Sequence, residues 1–257
     1  MIEWSGFRPC MCIAVDAQSY GSNNDRSQSE IQHDLSRLLD RAASGAGLDR
    51  ASWQIQRKGD EQLAVRLVDG SEPRLVDDYI RHLAAELREY NVRRVPQARM
   101  RLRAAVHQGP VELAENGFAG TAVVATARLL NSSPLYDALA EHPGADLALL
   151  LSDDVFRATV AGGHTTLSTG SFAPHTVRVK EYEATAWLYV PGTARPVNPP
   201  PERPGPVAAD GAGDRADGGG RRRTGGDEYR ADKISVTRIE GPVDARHAVF
   251  GFGSSGD

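Results

Sequence analysis

The sequence predicts an α+β domain, with helices segregated on a mixed or mostly antiparallel sheet, then a linker and a short tail. Three observations carry that prediction. Apolar stripes at helical spacing alternate with short apolar runs of strand length. Two of those runs carry an aspartate at one end, Asp16 closing CMCIAVD and Asp60 in KGDEQLAVRL. After Gly192 the composition turns abruptly to proline, glycine and charge.

The elements follow in order. Cys10, Cys12, Ile13, Ala14 and Val15 make Arg8–Asp16 a buried strand. Ile31, Leu35, Leu38, Leu39 and Ala42 recur at helical spacing, predicting a helix from about Gln28 to Gly45 with Ser27 or Ser29 as N-cap. Strands follow at Ser52–Arg57 and Gln62–Leu67. The stripe Val76, Ile80, Leu83, Leu87 and Tyr90 then predicts a helix over Val76–Tyr90. RLRAAVHQGPVELAENGFAG reads as a strand over Arg101–His107, a turn, and a second strand over Val111–Glu115. A helix opens at Thr121, another runs from about Pro134 to His142, and LALLLS at 147–152 is a short buried strand. Asp153 can cap the helix DDVFRATVAG, and HTVRVKEYEATAWLYV closes the domain as a hairpin-like strand pair. This domain spans 8–191.

The segment 192–232 has almost nothing to bury and reads as a disordered linker. Its Arg221, Arg222 and Arg223 form a small basic cluster, read as a solvated linker segment in preference to a nucleic-acid or acidic-lipid contact. In 233–257, Ile234, Val236 and Ile239, then Val243, Val249 and Phe250, flank a Gly241–Pro242 break. A two-stranded hairpin alone is marginal in water. The tail is therefore expected to borrow a partner, an effector's sheet edge or like segments in a cross-β stack, or to be a frayed end without function.

The chain has 257 residues and a net charge of −4, which gives no electrostatic case for nucleic-acid binding. Its two cysteines, Cys10 and Cys12, lie on one face of a strand and suit core packing rather than a zinc or disulfide framework. Neither a signal peptide nor an apolar run near 18 residues is visible, so the expectation is a soluble, cytoplasmic protein without a membrane partner.

A carboxylate is costly to bury unless it is paired or bound to a metal. Two aspartates on adjacent buried strands therefore suggest a divalent-cation site, and oxygen ligands suit Mg²⁺ or Mn²⁺. Two solvated strand-end aspartates are the alternative. The polar, Gly-containing turn AQSYGSNND after Asp16 can face backbone N–H groups toward an anion.

Four motifs now stand in order: AVDAQSYG, KGDEQLAV, RAAVHQG and GTAVVATARLL. Together they resemble the class III nucleotidyl cyclase catalytic domain, the adenylate and guanylate cyclase family, over roughly Arg8 to Pro191. The resemblance is to a divergent bacterial member of actinobacterial type, and the tail loosely resembles Gly-and-Val β motifs shared between actinobacterial sensor and effector chains. It implies a ferredoxin-like βαββαβ core with additions, and a homodimer sharing two sites between subunits. It implies conversion of a nucleoside triphosphate to a 3′,5′-cyclic nucleotide and pyrophosphate with two Mg²⁺ or Mn²⁺ ions per site.

Carried over by resemblance, Asp16, Asp60 and the Ala17 carbonyl are metal ligands. Tyr20, Gly21 and Lys180 bind phosphates, and Arg128 is the transition-state arginine. An arginine on a helix is otherwise most often a solvated surface residue. His107 and Gly109 are hallmarks read as structural, His107 as a satisfied core histidine.

The sequence also departs from the family. Val124 stands where an asparagine orients the ribose, unless Asn116 or Asn131 moves in; Glu181 replaces the glycine that usually follows the lysine. Gln56 and Gly117 occupy approximately the two purine-reading positions, so neither purine code is present. One reading is a pyrimidine cyclase, making cUMP or cCMP, of the kind found in bacterial anti-phage defence. The other is a degenerate domain that senses nucleotide or dimerises as an adaptor and signals through the tail.

Overall fold

The structure, a computed structural model, describes residues 5–18, 25–115 and 117–193. They belong to the first of two units into which the chain divides, residues 1–203. The tail, the arginine cluster and the linker beyond 193 lie outside the described residues.

The chain begins β1 (Arg8–Ala17), α1 (Asp25–Gly45), β2 (Gln54–Lys58), β3 (Glu61–Leu67), α2 (Glu72–Val76), α3 (Asp78–Val92) and β4 (Leu102–Ala114). With α2 and α3 counted as one broken helix, this is the βαββαβ order. There follow β5 (Gly117–Ala119), α4 (Thr121–Leu130), α5 (Ser133–Glu141), β6 (Leu147–Ser152), α6 (Asp153–Phe156), β7 (Ala173–Val179) and β8 (Tyr182–Tyr189). The strands form one eight-stranded sheet in the order β2-β3-β1-β4-β6-β8-β7, with β5 on β4. Every pairing is antiparallel except β4 with β6.

Because side chains alternate along a strand, β1 feeds two cores. Met11, Ile13 and Val15 join Leu35, Leu38 and Leu39 of α1 and Ile80, Leu83 and Leu87 of α3 on one face. Cys10, Cys12 and Ala14 face the other way, toward Ala122 of α4 and the cluster around Leu129 and Leu135. Each fully buried Leu, Ile or Met there stabilises the fold by about 1.5–3 kcal/mol relative to exposure. The cysteines are free and buried, and burial pushes their thiols up to about 11 and about 12, which leaves them inert packing groups.

Several elements differ from the sequence reading. Helices cover both faces of the sheet rather than being segregated, because β1, β4 and β6 are apolar on both sides. α1 starts at Asp25, so Ser27 and Ser29 lie inside it. The helix expected over Val76–Tyr90 is two, interrupted at Asp77, which is 4% exposed. Its carboxylate accepts from Arg81 Nε (2.6 Å) and Thr166 Oγ1 (2.7 Å), tying the helix junction to a distant loop. The helix DDVFRATVAG is one α-turn followed by a π-turn over Arg157–Ala161.

The turn expected after His107 is absent: β4 runs on through Gln108, Gly109 and Pro110 while paired with β1. Gly109 allows this because α4 lies directly on it. A Cβ there would sit 2.8 Å from Ala122 Cβ. The glycine of the HxG motif is therefore a close-packing glycine.

Candidate functional site

Asp16 is the next-to-last residue of β1 and sits level with Glu61 on β3 and Arg103 on β4. Asp60 reaches the same place by another route. Lys58 pairs with Glu61, so Gly59 and Asp60 form a two-residue hairpin turn, with Gly59 at φ +62° as such turns require. The two aspartates named by the resemblance thus meet. Burial, then the Asp16 charge and a hydrogen bond to it, push the Asp60 carboxyl up to about 6. Burial and Asp16 also raise Glu61.

Arg103 answers this crowding from the other side. It forms an ion pair with Asp16, with both side chains largely buried, and its guanidinium lies 3.7 Å from the centroid of the Tyr136 ring on α5. Its Nε and Nη1 are buried with no hydrogen-bond partner among the described residues. This is the arginine of RAAVHQG, to which the motif alone assigns no role. Its signal in the sequence is a charge next to the apolar run Ala104–Val106.

Among the described residues no group of three or more His, Cys, Asp or Glu is gathered for a metal. Two hard carboxylates, with Asp16 close enough to raise the proton affinity of Asp60, nevertheless fit Mg²⁺ or Mn²⁺, which take one or two carboxylates plus phosphate oxygens. Ala17 follows Asp16 at the strand end and is buried. Tyr20 and Gly21 lie outside the described residues, as does Asn116.

A second group of site residues gathers elsewhere. Arg128 lies in the last turn of α4 and donates through Nη2 to Glu181 Oε1 at 3.2 Å; its Nε is buried without a partner among the described residues. Glu181 and Lys180 form the two-residue turn between β7 and β8, since Val179 pairs with Tyr182. Lys180 adopts φ +54°, alone in this among the described non-glycine residues. Such strain in a lysine costs about 1–2 kcal/mol. Val124, one helical turn before Arg128, is 51% exposed. Asn131, just after α4, donates through Nδ2 to the Ala127 carbonyl at 3.0 Å.

Gln56 and Gly117 come together as well: a Cβ on Gly117, at φ +126°, would lie 3.1 Å from Gln56 Oε1. His107 differs from expectation. Its Nδ1 is buried without a partner among the described residues, and burial lowers its pKa, keeping the ring neutral.

The aspartates and the Lys180 turn do not converge within one chain. Asp16 is level with Arg103, and Arg103 with Ala148 on β6. The opposite end of β6, Ser152, is level with Ala186 of β8, and the Lys180 turn lies beyond that. Strand spacing and rise alone separate the aspartates from the Lys180 turn by more than about 20 Å.

No protein-family model matches the sequence, and no curated protein matches it significantly. Solved structures do match. An adenylate/guanylate cyclase/hydrolase from Silicibacter pomeroyi has a TM-score of 0.55 at 21% identity, over 74% of this chain and 100% of that one. The guanylyl cyclase Cya2 has 0.51 at 15%, over 73% and 93%. The guanylate cyclase domain of RhGC from Catenaria anguillulae, in complex with GTP, has 0.50 at 14%, over 74% and 99%. Among the described residues no helix is long and apolar enough to cross a membrane. The chain shares its mixed α+β fold, from β1 to β8, with the catalytic domains of adenylate and guanylate cyclases.

Proposed function

We propose that the chain is a nucleotidyl cyclase that converts a nucleoside triphosphate to a 3′,5′-cyclic nucleotide and pyrophosphate. The meeting of Asp16 and Asp60 carries the reading, since an Asp60 carboxyl raised by burial and by Asp16 is poised to trade its proton for a divalent ion. When bound, two such ions lower the pKa of the ribose 3′-hydroxyl and neutralise the triphosphate. Asp16, Asp60 and the Ala17 carbonyl would hold them, and Arg103, ion-paired with Asp16, orients its carboxylate. The 3′-oxygen bonds to the α-phosphorus, the bond to the bridging oxygen breaks, and pyrophosphate leaves. Arg128 faces the charge that develops on the α-phosphate, and Lys180 takes the outer phosphates, with Tyr20 and Gly21 supplying backbone donors.

The separation of the two groups favours a homodimer in which the aspartates of one subunit meet Arg128 and Lys180 of the other, giving two equivalent sites. Mixing Asp16→Ala and Arg128→Ala chains tests this. Each heterodimer regains one intact site, so activity returns from two inactive parents; inactivity of confirmed heterodimers would rule shared sites out.

Gln56 beside Gly117 offers one amide and no acidic partner, which favours a pyrimidine base and thus cUMP or cCMP, consistent with a signalling role in anti-phage defence. The direct experiment incubates the protein with ATP, GTP, CTP and UTP plus Mn²⁺ and reads cyclic nucleotide by mass spectrometry, with Asp60→Ala as control. A second reading, nucleotide sensor or dimerising adaptor acting through residues 233–257, is favoured by exposed Val124, which offers the ribose no hydrogen bond. Triphosphate binding without product from any of the four nucleotides would establish it.

A further inference from the structure

Arg128, the residue proposed to meet the α-phosphate, already has an anionic partner inside its own chain. Glu181 Oε1 lies 3.2 Å from Arg128 Nη2, and the arginine is the more buried member, at 22% side-chain exposure against 76%. Glu181 is also held in place from behind. Lys180, immediately before it, is fixed at φ +54° by a turn with no spare residue, and Tyr182 after it is locked into the pairing with Val179. A hydrogen bond to its own backbone N–H and the Arg128 charge keep the Glu181 carboxyl below the usual carboxylate range, so it is ionised at neutral pH.

We propose that Glu181 sets the affinity of this site for triphosphate by occupying Arg128 until the phosphate chain displaces it. The inference rests on the cyclase reading and adds a residue to it. The physical case is competition for one cation. The Arg128 Nε is buried and unpartnered among the described residues, so the guanidinium holds an unused donor beside the one Glu181 takes. An incoming phosphate must break the Nη2 bond and then sit beside a fixed negative charge. The half-exposed setting decides the size of the effect. Exposed ion pairs are weak and screened by salt, so Glu181 moderates binding and does not block it.

The test uses the full chain, inorganic tripolyphosphate with Mn²⁺ as probe, and calorimetry at low and high salt. Glu181 is exposed on a turn, so Glu181→Gln keeps the fold and the side-chain volume. Glu181→Gln is expected to tighten tripolyphosphate binding about threefold at low salt, less at 0.5 M, and to lose that gain when combined with Arg128→Gln. Unchanged or weaker binding by Glu181→Gln, with the wild type binding well, overturns the proposal and leaves the cyclase reading intact. A gain that persists at full size without Arg128 overturns it too, since Glu181 would then act on the ligand directly. If neither protein binds tripolyphosphate, both readings fall together.

Discussion

Replacing Asp60 by asparagine should stabilise this protein in the absence of metal, and only above a definite pH. The folded structure raises the Asp60 carboxyl from 3.8 to about 6, first by burial and then through Asp16. Between those two values the folded chain holds a proton that the unfolded chain has released. The stability that a protonated Asp60 allows is complete below pH 3.8 and is lost as the pH rises through about 6. A shift of about two units corresponds to a ceiling of roughly 3 kcal/mol. The carboxyl sits on a hairpin turn with partial access to water, and solvent screening reduces that to about 1 kcal/mol. Asparagine keeps the shape and removes the charge. In chelator at pH 7.5, Asp60→Asn should therefore melt about 2–4 °C above the wild type, and at pH 4 the two should coincide. Adding Mn²⁺ should reverse the order at pH 7.5, because the ion stabilises only a chain that binds it. A variant no more stable than the wild type at pH 7.5, or equally stabilised at pH 4, would refute the idea that Asp60 is crowded by Asp16.

Other substitutions probe neighbouring parts of the argument. Val124→Asn restores an amide one turn before Arg128 and should raise turnover with the preferred nucleotide by about 10–100-fold, measured as cyclic product per minute. Arg103→Met leaves Asp16 without its cation and should cost about 3 kcal/mol in urea unfolding, an effect that Asp16→Asn in the same chain should largely relieve. Gly109→Ala forces α4 off the sheet and should destabilise by about 1–3 kcal/mol, whereas alanine at exposed Gly144, where a Cβ meets nothing within 4 Å, should be nearly neutral.

Much of this architecture was legible because periodicity and burial coincide. The stripes of α1 and α3 and the apolar run of β6 announce themselves, since nothing but a core explains them. The aspartates were legible for the opposite reason, as charges at the ends of runs that otherwise exclude charge. What escaped was set by contacts distant in sequence. Gly109–Pro110 carries turn chemistry, yet pairing with β1 and the close approach of Ala122 hold it extended. The break at Asp77 depends on Thr166, and the role of Arg103 on Asp16 and Tyr136. Glu181 stood out as a departure from the family's glycine, but only its distance to Arg128 gives that departure a meaning.

The register of β1, β4, β6 and β8 has a kinetic consequence. On the shared-site proposal, with the aspartates at one end of the sheet and the Lys180 turn beyond the other, a solitary chain owns every proposed working residue and brings only one set to a nucleotide. Well below its dimerisation constant, the rate would then rise with the square of chain concentration. Expression level, or any scaffold that crowds copies together, would act as an on-switch without touching a single side chain of the site.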